Sequence, residues 1–319
     1  FYNGYGKGVA GREITFDNSG NVGIGTTAPA EKLTVAGSIS SQGYCSDVNE
    51  NTKIGTSAGE DLTSGLNNTS LGAFAGRCTT TGCYNVAIGN NSLQLNTTGC
   101  SNVAIGQGAL NLNTGSGNIA IGKCTLRSAT TGGNNIGIGL CALLGTVTGS
   151  YNVIMGRFAG VGLTSGTYNV GVGDQSLRCN TEGQCNTAIG SSALFSNTTG
   201  CYNVAMGYNA LCKNTTCGNN TAVGYNALAN NLSANNTAVG YNSMAANTTG
   251  CNNAAVGSYA LDANTTGGYN VAMGRQAASN NTTGNYNVAV GNDALVLNST
   301  GGSNTALGTN TLRYNSTTN

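Results

Sequence analysis

Twelve cysteines in a chain of 319 residues without a single histidine are the first residues whose chemistry needs an account. Some bracket a short polar stretch: Cys78 and Cys83 in "CTTTGC", Cys179 and Cys185 in "CNTEGQC", Cys212 and Cys217 in "CKNTTC". Disulfides, a zinc site and small buried thiols are the three chemistries such a set could serve. Zinc is disfavoured, because histidine is absent and no paired C-x2-C motif occurs. Disulfides imply an oxidising, extracellular setting. A second set is aromatic: Tyr84, Tyr151, Tyr168, Tyr202, Tyr269 and Tyr286 each stand directly before an asparagine. Such a column can stack on sugar rings or shield a seam between repeats.

Catalytic chemistry finds little support. Without histidine there is no Ser-His or Cys-His pair and no imidazole base. The carboxylates Asp174, Glu182, Asp262 and Asp293 lack the recurring partner that a two-carboxylate glycosidase requires. "GIGTTAPAEK" lacks the Lys-Ser/Thr ending of a phosphate loop. The expectation is a non-enzymatic protein that holds no cofactor and no metal.

The elements that must position these residues come from an internal repeat. Aligning on one glycine per unit gives sixteen units, from Gly55 and Gly72 to Gly291 and Gly308, with thirteen steps of 17 residues and two of 16. Four residues before that glycine every unit carries asparagine, including Asn85, Asn102, Asn118, Asn135, Asn152, Asn169, Asn186 and Asn203. One residue before it, all sixteen are Ile, Leu, Val or Met. Val, Ile or Thr usually stands three before, and Ala or Gly two before. This alternation predicts a short strand with one aliphatic face and one Asn/Ala face. Ala, Ser or Thr follows three residues after the glycine, then Leu in eleven units, then a polar turn that is most often "NTTG". Asn and Gly suit such a reversal. Both 16-residue steps lose their residue in this turn, where loops absorb deletions.

A 17-residue unit cannot bury a core alone, but stacked units can. The chain is therefore expected to be all-β, a parallel β-solenoid of about sixteen rungs over residues 45–319, on the order of 75 Å long. Stacking makes each column a ladder. The asparagines are expected to bond one another and the turn backbone, although a local turn role for each is the simpler alternative. Cys83 with Cys100, and Cys124 with Cys141, would lie in neighbouring rungs of one column, near the lower end of the disulfide distance range. Cys83 thus has two partners to choose from, and the connectivity stays open. The "NTT" sequons at Asn197, Asn247, Asn264 and Asn281 fit turn chemistry better than glycosylation.

Only 23 residues are charged, with a net charge of +1. Eleven lie in residues 1–62, and this shift marks a boundary near Cys45 to Asn51. Residues 1–44 are expected to form a connecting and capping β module. Clustered basic residues are absent, which argues against nucleic acid, and no apolar run is long enough to span a membrane. Phe1 reads as the start of a processed or partial chain. Narrow rungs with aliphatic columns on the outside call for self-association, as an oligomer about the long axis.

Residues 20–40, "GNVGIGTTAPAEKLTVAGSIS", resemble the β module of bacteriophage tail-fibre proteins and of surface proteins that end in an endosialidase-type chaperone. "NTAVGYNAL" (220–228), "NNAAVGSYAL" and "NTALGTNTL" resemble the repeats that follow that module, and also the head repeats of trimeric autotransporter adhesins, whose unit is shorter. The resemblance implies a trimeric, left-handed parallel β-roll serving as shaft or head of a fibre on a virion or cell surface, with multivalent attachment to host surfaces or their glycans. A self-assembling extracellular filament is the alternative within this class. Ice binding and glycan binding are alternatives from others, the former weakened by the lack of a Thr-x-Thr strand.

Overall fold

The structure is a computed structural model that describes residues 14–16, 22–24, 33–35 and 49–314. The chain divides into two compact units, Phe1–Ser46 and Asp47–Asn319. In the first, β1 (Ile14–Phe16) pairs antiparallel with β2 (Val22–Ile24), which pairs parallel with β3 (Leu33–Val35). The rest of the connecting module expected over 1–44, and Cys45, lie outside the described residues.

The second unit is a parallel β-solenoid. Sixteen three-residue strands, from β4 (Thr52–Ile54) through β12 (Thr187–Ile189) and β13 (Val204–Met206) to β19 (Thr305–Leu307), form one sheet in strict sequence order. Register advances by one repeat at each step. Val153 faces Val170, Thr187 faces Val204, and the 16-residue steps stay in register, with Val103 opposite Ile119 and Thr221 opposite Thr237. Both deletions therefore fall in the bends and leave the ladder intact.

Every strand of this sheet after β4 buries its middle residue and leaves its flanks outside, whereas the middle residue of β4 is the half-exposed Lys53. Ala87, Ala104, Ala120, Ala188 and Ala205 are inside, facing the Leu column of Leu93, Leu110, Leu126, Leu194 and Leu211. The core is thus a narrow seam of alanines and leucines, the small volume that 17 residues per turn can enclose.

The bends rest on left-handed backbone. In every rung the residues five before, two after and four after the repeat glycine have φ between +47° and +73°. At the last of these positions Leu, which ordinarily avoids that region, is held at +47° to +55° in eleven rungs. The conformation costs about 1–2 kcal/mol, while burying the leucine side chain, as happens in ten of the eleven (Leu312 is exposed), contributes about 1.5–3 kcal/mol. Burial wins.

The repeat glycine has a second reason. Its φ lies between +112° and +144° in all sixteen rungs. A Cβ on any but the last would meet a carbonyl atom of the next rung's glycine at 2.2–2.9 Å. Consecutive rungs touch there backbone to backbone, which only glycine allows.

Candidate functional site

The asparagine column is an internal brace. Asn85, Asn102, Asn118, Asn135, Asn152, Asn169, Asn186 and Asn203 are 0–2% exposed. Each asparagine Oδ1 accepts the backbone N–H of the next asparagine, and all fifteen such bonds measure 2.8–3.0 Å. Its Nδ2 donates to the carbonyl three residues earlier in that next rung, again in fifteen cases at 2.8–3.0 Å. One side chain thereby closes the bend of the rung beside it. Asp could not donate, and Ser could not reach both groups, so the amide is the side chain that fits.

A second ladder runs through the "NTTG" bends, where turn chemistry alone was expected. Asn197 Nδ2 donates to Asn180 Oδ1 at 2.7 Å, Asn214 to Asn197 at 2.9 Å, and Asn264 to Asn247 and Asn281 to Asn264 at 2.8 and 2.9 Å. The sequon asparagines Asn197, Asn247, Asn264 and Asn281 are fully buried, so their amides face the interior and one another. Beside them the threonine hydroxyls bond across rungs, as Thr181 Oγ1 does to the Thr198 carbonyl at 3.1 Å. Those hydroxyls are engaged within the protein, which leaves fewer of them to organise surface water.

The described cysteines are free thiols, half-buried. Cys78 and Cys83, which bracket one bend, take different partners. Burial and a hydrogen bond with Asp61 push the Cys78 thiol up, whereas Cys83 Sγ accepts the Leu66 N–H at 3.4 Å. Cys100 Sγ in turn accepts the Cys83 N–H at 3.2 Å. Cys124 and Cys141 are neighbours in their column, and burial followed by Cys124 raises the Cys141 thiol. Cys212 is raised mainly by burial, with Cys179 rather than Cys217 as the cysteine that acts on it. Cys185 occupies a left-handed position, φ +55°. No cluster of three or more His, Cys, Asp or Glu that could hold a metal occurs among the described residues.

Among the tyrosines, Tyr151 stacks on Tyr168 with centroids 5.1 Å apart and planes 2° from parallel, and Tyr269 on Tyr286 at 5.0 Å and 12°. A ring stacked this way spends a face on its neighbour. Tyr84 and Tyr202 have no ring beside them in their column, and both faces of their exposed rings are free of aromatic stacking. The sequence reading missed a further run on the other side of the strands: Tyr208, Tyr225 and Tyr241 stack at 5.3 Å. Its signal was a tyrosine directly after the repeat glycine in three successive units.

Between these aromatic runs lies the outward face of the long sheet. It consists of the first and third residues of all sixteen strands, and none of these thirty-two positions is charged. Ile121, Met155, Ile189, Met206 and Met273 expose 36–45% of their surface. Three-residue strands about 10 Å long, stacked over about 75 Å, present on the order of 700 Å². Monomeric soluble proteins rarely leave a contiguous apolar patch larger than a few hundred Å².

Charge is confined to other columns. Arg77 pairs with Glu60 and Arg157 with Asp174, both at 3.0 Å and one rung apart. The Arg157 guanidinium holds the Asp174 carboxyl below its ordinary range. Among the described residues no helix is long and apolar enough to cross a membrane.

The fold defines a class, the β-solenoid repeat protein. No protein-family model, curated protein or solved structure matches the chain.

Proposed function

We propose that this chain is a non-enzymatic structural segment, the shaft or head of an extracellular fibre on a virion or cell surface, working as a trimer of left-handed β-rolls. The observation that carries the reading is the charge-free sheet face running the length of the repeat domain, aliphatic at twenty-six of its thirty-two positions and threonine at the other six. Its area, on the order of 700 Å², is close to the roughly 800 Å² that each partner contributes to a standard protein interface. Close association of identical chains along that face removes it from water, and the trimer supplies three parallel rolls about one axis. The mechanism is mechanical: a stiff rod carries weak contacts, glycans among their candidate targets, and repetition raises their effective concentration.

Sedimentation velocity of the full chain at micromolar concentration tests the reading. A trimer is expected, and placing Asp at Ile189 and Met206 together should shift it to monomer with the strand content unchanged. A monomeric native chain would overturn it. A filament subunit is the second reading, favoured by the one-dimensional stacking of sixteen like rungs in a single parallel sheet, a pattern that further copies can continue. Electron microscopy of purified protein separates the two, since a filament subunit gives threads of indefinite length.

A further inference from the structure

The position two residues after the repeat glycine carries a side chain in fifteen of the sixteen rungs, and the exception is Gly108. A Cβ placed on Gly108 would meet one atom, Cys124 Sγ at 3.8 Å. The missing side chain therefore opens space rather than relieving a clash. That space is a cleft of about 250 Å³ walled by Asn91, Gln107, Asn111, Lys123 and Arg127, with Cys124 at its edge. Asn111 Nδ2 fixes the floor by donating to the Asn91 carbonyl at 2.9 Å and to Gln94 Oε1 at 3.0 Å. No carboxylate lines the cleft.

The two cations differ from the described arginines elsewhere in the solenoid. Arg77 and Arg157 have carboxylate partners, Arg275 and Arg313 share Asp293, and Arg178 donates to Gln175 and lies over Phe158 and Phe195. Lys123 and Arg127 have no carboxylate within ion-pair distance among the described residues. They are also the only charged residues between Cys78 and Gly156. The flanking acids, Asp61 and Asp174, stand four and three rungs away, about 14–19 Å at the rung spacing. That exceeds the screening length of about 8 Å at physiological salt, and Asp174 already engages Arg157.

We propose that this cleft binds an oxyanion, held by the Arg127 guanidinium and the Lys123 ammonium, with the Gln107 amide as a neutral donor. Two adjacent cations and an amide wall match the charge and hydrogen-bond demand of a sulfate, phosphate or carboxylate group. A free inorganic anion and a pendant group on an acidic polysaccharide share that chemistry. The inference concerns one notch on a single chain and does not depend on how chains associate.

Isothermal titration of the full chain with sodium sulfate, against sodium chloride at matched ionic strength, tests the proposal, followed by titration with a sulfated oligosaccharide. Saturable binding of one sulfate per chain is expected. Tighter binding of the oligosaccharide assigns the site to a pendant group, and equal affinity assigns it to the free ion. The double variant Lys123→Gln, Arg127→Gln should bind roughly tenfold or more weakly, the loss expected when charge-assisted hydrogen bonds are removed. Gly108→Asn fills the cleft while leaving both cations in place. The column already holds Asn91, Asn209, Asn226 and Asn242 at φ +51° to +56°, so this variant keeps the fold, as its thermal melt would show, and should lose binding to the same degree. Sulfate heats indistinguishable from chloride would overturn the proposal, as would undiminished sulfate affinity in Gly108→Asn.

Discussion

Replacing Asn186 by Ala tests the brace at the centre of the solenoid. Asn186 is fully buried. Its Oδ1 accepts from the Asn203 backbone N–H at 3.0 Å and from Asn203 Nδ2 at 3.1 Å. Its Nδ2 donates to Asn169 Oδ1 at 3.2 Å and to the Gly200 carbonyl at 2.8 Å. Truncation strands the Asn203 N–H, while the Gly200 carbonyl keeps Asn197 and Asn203 Nδ2 keeps the Cys217 carbonyl. One orphaned buried donor costs about 1–3 kcal/mol, and three further bonds lost at about 0.5–1.5 kcal/mol each bring the total to about 2.5–7.5 kcal/mol. Urea unfolding measures that loss. Hydrogen exchange should locate it, with protection falling around residues 197–204 because each rung contacts only its neighbours. Tyr202→Asn serves as the control: its position is exposed and left-handed, Asn219 occupies the same place in the next rung, and the change should stay within about 0.5 kcal/mol. An Asn186→Ala loss below about 1 kcal/mol, or one equal to the control, would refute the brace.

Gly173→Ala would set a Cβ 2.5 Å from the Gly190 carbonyl oxygen at a φ of +136°, so the variant should melt far below the native protein, and an unchanged midpoint would show that the rungs do not touch there. The buried sequons at Asn197, Asn247, Asn264 and Asn281 should stay unmodified when folded protein is offered to an oligosaccharyltransferase, as peptide mass mapping would report; glycan at any of the four contradicts the buried ladder. Asp262 is half-buried, one of its carboxyl oxygens has no hydrogen-bond partner, and desolvation raises its pKa. For an acid raised in the folded state, stability falls as pH rises from the unfolded toward the folded pKa. Asp262→Ala, matching Ala229 and Ala245 in that column, should therefore raise the melting midpoint at pH 7, with the gain shrinking as the pH drops below the unfolded carboxylate range; a lower midpoint at pH 7 would count against the desolvation.

Much of the solenoid was legible because its constraints act at single positions in every rung. The repeat glycine is held by a backbone contact and the bend asparagine by two backbone groups at once, so neither varies over sixteen units. The second ladder was hidden because "NTTG" satisfies turn chemistry and a glycosylation sequon equally well, and nothing local reveals that Asn197 or Asn264 points inward. The left-handed leucines were equally opaque. Leu177 or Leu228 reads as an ordinary core residue, and its φ follows from the tight bend of the chain, not from its own preference. Cysteine columns could be aligned, but thiol orientation is set by side-chain torsions, so Cys78 and Cys83 turn to separate partners despite bracketing one bend. The cleft at Gly108 appeared in the chain as one more glycine among 51.

Spin-label distances along one column test most directly whether each segment lies in register over the last. Labels introduced as noncanonical residues at Ser191 and Ser258, four rungs apart, and at Ser191 and Thr309, seven rungs apart, should be separated by about 19 Å and about 34 Å in labelled chain diluted with unlabelled chain. Separations that do not grow in proportion to the number of intervening rungs would contradict the stacked, parallel solenoid on which the outer face and both ladders depend.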